Sequence, residues 1–116
     1  MSQGNRAEIA DRTQFELLSE RTDGREHIRV LGEMDLSVIG RVDREMQRAE
    51  ATDASSILLD LDQLEFLDAS GVRLLLDLSA RSAGDGGRLR ITRSPAPQVQ
   101  RVLELTGAGE VLPFAA

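Results

Sequence analysis

Apolar positions along this chain fall into two rhythms, and the changes of rhythm outline its elements. Phe15-Glu16-Leu17-Leu18-Ser19-Glu20 reads as a first strand, Arg21 to Arg25 as a turn signalled by Asp23-Gly24, and His27 to Gly32 as a second strand with Ile28 and Val30 on one face. Together they predict an N-terminal hairpin. Val38, Val42, Met46 and Ala49 then recur at steps of four, four and three, which is one face of a helix. Asp35 or Ser37 is placed to cap it, and Arg41 and Glu45 sit at i, i+4 on its wet side.

Ile57 to Leu61 is a short continuous apolar run, the pattern of a strand covered on both faces by helices. After a loop, Gly71 to Ala83 predicts a second helix with Val72, Leu75, Leu76 and Leu78 in its apolar set. Gly84-Asp85-Gly86-Gly87 ends it through the left-handed conformation that glycine tolerates. Arg88 to Thr92 alternates as another strand. Ser94 as N-cap and Pro95 at the first helical position open a third helix, with Val99, Val102 and Leu103 as its buried stripe and Gly107 as its stop. Val111-Leu112 makes a short last strand, limited to an edge by Pro113. The order β-β-α-β-α-β-α-β predicts an α/β fold. Its sheet is mixed and mostly parallel, with about five strands flanked by about three to four helices.

Composition narrows the chemistry. The 116 residues suit one domain over residues 14–116, with a loose tail over residues 1–13. No cysteine is present, which removes thiol nucleophiles and Cys-ligated zinc or iron–sulfur centres. All 14 basic residues are arginine, so there is no lysine for a Schiff base, a Walker motif or a receiver-type site. A net charge of −6 and the lack of Trp and Tyr argue against direct nucleic-acid binding. No apolar run reaches the roughly 18–20 residues of a membrane span, and Met1 to Thr13 has no secretory apolar core, so the expected location is the cytoplasm.

The segment Leu64-Glu65-Phe66-Leu67-Asp68-Ala69-Ser70-Gly71-Val72 joins a buried strand to an amphipathic helix. A helix N-terminus presents free N–H groups and a positive dipole end, which Asp68 or Ser70 can cap. Gly71 removes bulk beside the Ser70 hydroxyl, giving a partner close access. Taken alone, the tetrapeptide Asp68-Ala69-Ser70-Gly71 reads first as a pair of helix-capping residues.

Its surroundings add meaning. Gly32-Glu33-Met34-Asp35-Leu36 resembles the Gly-Glu-x-Asp element of the STAS domain family. Ile57 to Leu61 followed by Phe66 to Gly71 resembles that family's central strand and Asp-Ser-Ser-Gly loop, with Ala69 in place of the first Ser. Ser94-Pro95 and Val102 to Gly107 resemble its third helix. The likeness runs in order from Phe15 to Phe114.

It implies a STAS fold and the role of an anti-sigma factor antagonist, a binding protein and not an enzyme. In that role Ser70 is the phosphoacceptor, and Gly32, Asp35, Asp68, Ala69, Ser70 and Gly71 form the partner surface. The implied partners are an anti-sigma factor with a histidine-kinase-like ATP-binding fold acting on serine, and a serine phosphatase. No metal or cofactor is implied. The alternative within the family is a non-switching scaffold or accessory subunit, as in a stressosome or a lipid-transport complex. A metal-dependent enzyme built on Asp60, Asp62 and Asp68 is a third reading. Asp60-Leu61-Asp62 also resembles the Asp-x-Asp of haloacid-dehalogenase-type phosphatases, a reading weakened by Leu64 and by the missing lysine. His27, the only histidine, reads as a strand residue near the hairpin turn.

Overall fold

The computed structural model describes residues 14–115, so the expected tail over residues 1–13 lies outside the described residues. In chain order the elements are β1 (Phe15–Thr22), β2 (Arg25–Met34), α1 (Ile39–Glu50), β3 (Ser56–Asp60), β4 (Leu64–Leu67), α2 (Ala69–Ala83), β5 (Leu89–Thr92) and α3 (Pro97–Thr106), followed by a 3-10 turn (Ala108–Glu110). The hairpin forms as expected. Asp23 and Gly24 both have positive φ, at 53° and 77°, which gives the tight turn whose twist matches antiparallel strands.

β2 is the spine of the sheet. It runs antiparallel to β1 on one side, while on the other its first half pairs in parallel with β3 and its second half with β4. β5 then pairs in parallel with β3. The changeover from β3 to β4 needs a register shift in β2, which falls between Gly32 and Glu33. Gly32 has φ +89°, and a Cβ there would lie 2.2 Å from the Gln14 carbonyl oxygen. Only glycine makes this bulge without strain.

Burial alternates along the strands. Ile28, Val30 and Met34 of β2, Ile57 and Leu59 of β3, and Leu89 and Ile91 of β5 are buried. They share one core with Val42 and Met46 of α1, Leu75 and Leu78 of α2, and Val99 and Leu103 of α3. The helices therefore cover one face. Ser56, Leu58 and Asp60 on the other face of β3 are only half-buried, which corrects the expectation of a strand enclosed on both sides. Truncating a fully buried core residue such as Leu75 to Ala costs about 2–5 kcal/mol.

Four local expectations are also corrected. β4 was expected as loop; its four residues carry one short alternation, with Leu64 and Leu67 buried and Glu65 exposed, too brief to signal a strand. Val111-Leu112 is not a strand. The 3-10 turn leaves Val111 63% exposed, and only Phe114 bridges to Ile91. Gly84, with φ −84°, ends α2 in right-handed geometry, and the left-handed glycines are Gly86 and Gly87. Ser94 does not cap α3. Its hydroxyl donates to the Leu64 carbonyl at 2.6 Å, tying the helix entry to β4, while Ala96 takes the cap position and Pro97 the first turn.

Side chains fix the helices to each other and to the sheet. Arg41 stacks over the Phe15 ring at 4.9 Å rather than pairing with Glu45, which instead accepts from Arg48 at 2.7 Å. Arg81 bridges α2 to α1 through Asp43 and Glu50. Arg88 donates to the Glu50, Thr52 and Ala54 carbonyls, sealing the chain where α1 ends. The buried Glu26 is held by Arg48 at 2.7 Å, and that bond is the main reason its carboxyl lies below the usual range.

Candidate functional site

The site is built where β2 and β4 deliver their C-terminal ends beside the N-terminus of α2. Asp68 is the N-cap, with extended backbone, and its Oδ1 accepts from the Gly71 N–H at 3.0 Å. The Ser70 hydroxyl donates to the same oxygen at 2.5 Å. The Asp68 N–H in turn donates to the Met34 carbonyl at 3.4 Å. Gly71 is buried. A Cβ on it would lie 2.4 Å from Leu67 Cδ1 and 3.0 Å from the Met34 carbonyl oxygen. Its missing side chain therefore serves the packing of α2 on the strand ends, not the approach of a partner.

Burial pushes the Asp68 carboxyl up. Hydrogen bonds from the Ser70 hydroxyl and from the Gly71, Leu36 and Ser70 N–H groups outweigh that and hold it below the ordinary range. The carboxylate is thus ionised at neutral pH, and it can only accept. The proton of the Ser70 hydroxyl is accordingly directed at Asp68, and among the described residues no donor reaches its oxygen.

Asp35 starts the neighbouring helix. Its Oδ1 accepts from the Ser37 hydroxyl at 2.6 Å and the Ser37 N–H at 3.0 Å, while its carbonyl takes the Val38 and Ile39 N–H groups. Neither Asp35 nor Ser37 is the N-cap itself; that position is Val38. Between Asp35 and Ser37 the Leu36 side chain stands 71% exposed.

A groove of about 560 Å³ runs between α1 and α2 from this point, lined by Leu36, Ile39, Gly40, Asp43, Ala69, Ser70, Arg73, Leu74 and Asp77. Of the expected partner residues, Asp68, Ala69, Ser70 and Gly71 come together at the α2 N-terminus. Asp35 borders a separate cavity with Gln14, Phe15 and Arg41, and Gly32 is buried in the β2 bulge. Sequence reasoning missed Leu36, Arg73 and Asp77. The helical spacing of Arg73 and Asp77 from Ser70 was the available signal. The Asp60 carboxylate, weighed as a metal ligand, is engaged by Thr92, His27 and the Asp62 N–H, and among the described residues no three acidic or imidazole groups converge on a metal position.

A fold of this kind is shared with known proteins. The family model described as Mlab, STAS domain matches residues 18–113, and the chain belongs to the STAS domain family. An anti-sigma factor antagonist from Mycobacterium paratuberculosis superposes with a TM-score of 0.74 at 23% identity, over 86% of this chain and 84% of the other. The anti-sigma factor antagonist SpoIIAA in its unphosphorylated form gives 0.68 at 26% identity, over 88% of both chains. The phosphorylated form of the Bacillus cell fate determinant SpoIIAA gives 0.61 at 26% identity, over 88% of this chain and 91% of the other. No curated protein matches by sequence. No helix among the described residues is long and apolar enough to cross a membrane.

Proposed function

We propose that this protein is a phosphorylation-switched anti-sigma factor antagonist. Unphosphorylated, it binds an anti-sigma factor through the α2 N-terminus and the groove beside it, and the sigma factor is released. The partner's ATP-binding kinase fold transfers a phosphoryl group to Ser70. A bond forms between the γ-phosphorus of ATP and Ser70 Oγ, the bond from that phosphorus to the bridging oxygen breaks as ADP leaves, and the hydroxyl proton is released to water. A serine phosphatase reverses the state.

The observation that carries this reading is the Ser70 hydroxyl, which donates a hydrogen bond to an ionised Asp68 on a residue that lines an open groove. That orientation suits an acceptor in phosphoryl transfer, where positioning of the hydroxyl does much of the work. The likeness to antagonists whose structures exist in both phosphorylation states supports it. A phosphate adds a charge of about −1.5 to −2 to a surface built around a neutral hydroxyl. A charge clash at an interface costs several kcal/mol, and about 1.4 kcal/mol is already tenfold in affinity. The chain's part is recognition, not catalysis.

The second reading is a non-switching accessory subunit. It is favoured by the same bond, since a serine with only a capping role also donates to its neighbouring Asp. Retention of partners on immobilised wild type, Ser70→Ala and Ser70→Asp separates the two. Capture of an ATP-binding kinase-like protein by the first two and not the third supports the switch. Capture of one multi-subunit complex by all three supports the accessory role.

A further inference from the structure

We infer that Arg73 captures the phosphate of phosphorylated Ser70, drawing it off Asp68 and into the groove between α1 and α2. This rests on the phosphoacceptor reading of Ser70. In the unmodified protein the Ser70 oxygen faces Asp68 because it has a proton to donate. Once esterified it has none, and the new dianion would confront a carboxylate that three N–H donors, of Gly71, Leu36 and Ser70, keep ionised. The side chain has to rotate away.

The groove offers the space, at about 560 Å³, and Arg73 is the one basic residue among the described residues lining it. Arg73 stands three residues beyond Ser70, on the same helix face and within reach of a phosphorylated side chain. Its guanidinium has no carboxylate partner within bonding distance among the described residues, and Asp43, across the groove, is held by Arg81 at 2.8 Å. A planar guanidinium matches two phosphate oxygens at once. The modification then does more than add charge. It sets a dianion in the groove and takes the one cation among its described lining residues out of use, so a partner meets added charge and loses the arginine.

The test uses protein with phosphoserine installed at position 70 during translation, so no kinase is needed. Phosphorus NMR follows the second ionisation of the phosphate in wild type, Arg73→Gln and Arg73→Lys. Arg73→Gln is expected to raise that pKa by about half a unit, with Arg73→Lys between, as for an exposed ion pair. The gap is expected to shrink at about 1 M salt. Superimposable titrations for wild type and Arg73→Gln would overturn the inference. Failure of the switch reading would appear elsewhere, as equal partner affinity for the two phosphorylation states.

Discussion

Two of the hydroxyl–carboxylate pairs on this molecule, Thr92–Asp60 and Ser70–Asp68, differ in what the hydroxyl has left to do. Thr92 Oγ1 donates to Asp60 at 2.8 Å and also accepts from the Leu61 N–H at 2.9 Å, so it joins β5 to the end of β3 with both functions used. Ser70 Oγ donates to Asp68 at 2.5 Å and, among the described residues, accepts from nothing. Both carboxylates are held below the usual range against the opposing effect of burial. Asp60 lines a cavity of only about 130 Å³, whereas Ser70 opens on one more than four times as large. The same chemical pair thus makes a stitch in one place and an addressable hydroxyl in the other.

Acid breaks both sides at once and has the largest effect. Asp60, Asp68 and Glu26 all have folded-state pKa values below their unfolded ones, so the folded chain binds fewer protons. Their stabilisation is complete above about pH 5 and is lost as pH falls through about 4 and below. Urea midpoints measured from pH 7 to 3 are expected to stay level to about pH 5 and then drop, with Glu26→Gln starting lower and dropping less steeply.

Gly32→Ala comes next. It places a Cβ against the Gln14 carbonyl at a positive φ, and the expected loss is about 3 kcal/mol by denaturant unfolding. Thr92→Val leaves the Leu61 N–H unpaired and Asp60 short of a donor. It is expected to cost about 2 kcal/mol with partner binding unchanged. Ser70→Ala is the smallest change. Asp68 keeps its N–H donors, so a loss of about 1 kcal/mol is expected, again with binding retained. A Ser70→Ala loss equal to that of Thr92→Val would erase the distinction between the two pairs.

The hairpin and the three helix faces were legible because each rests on local spacing: Asp23-Gly24 for the turn, and Val42, Met46 and Ala49 or Val99 and Leu103 for buried stripes. β4 was not, because its pairing with β2 depends on the bulge at Gly32, a residue 32 positions before Leu64 in sequence. The enclosed reading of β3 failed because Leu58 sits on the open sheet face and breaks the usual alternation. At the site, the Asp68 cap and the Ser70 position follow from four adjacent residues. The groove does not, since Leu36, in the turn before α1, and Arg73, on α2, line one groove only after α1 and α2 pack.

The most direct measurement is calorimetric affinity of the proposed kinase-fold partner for this protein with Ser70 free and with Ser70 phosphorylated. A phosphorylated form at least tenfold weaker is the result expected of a switch at Ser70. Equal affinities for the two forms would contradict it.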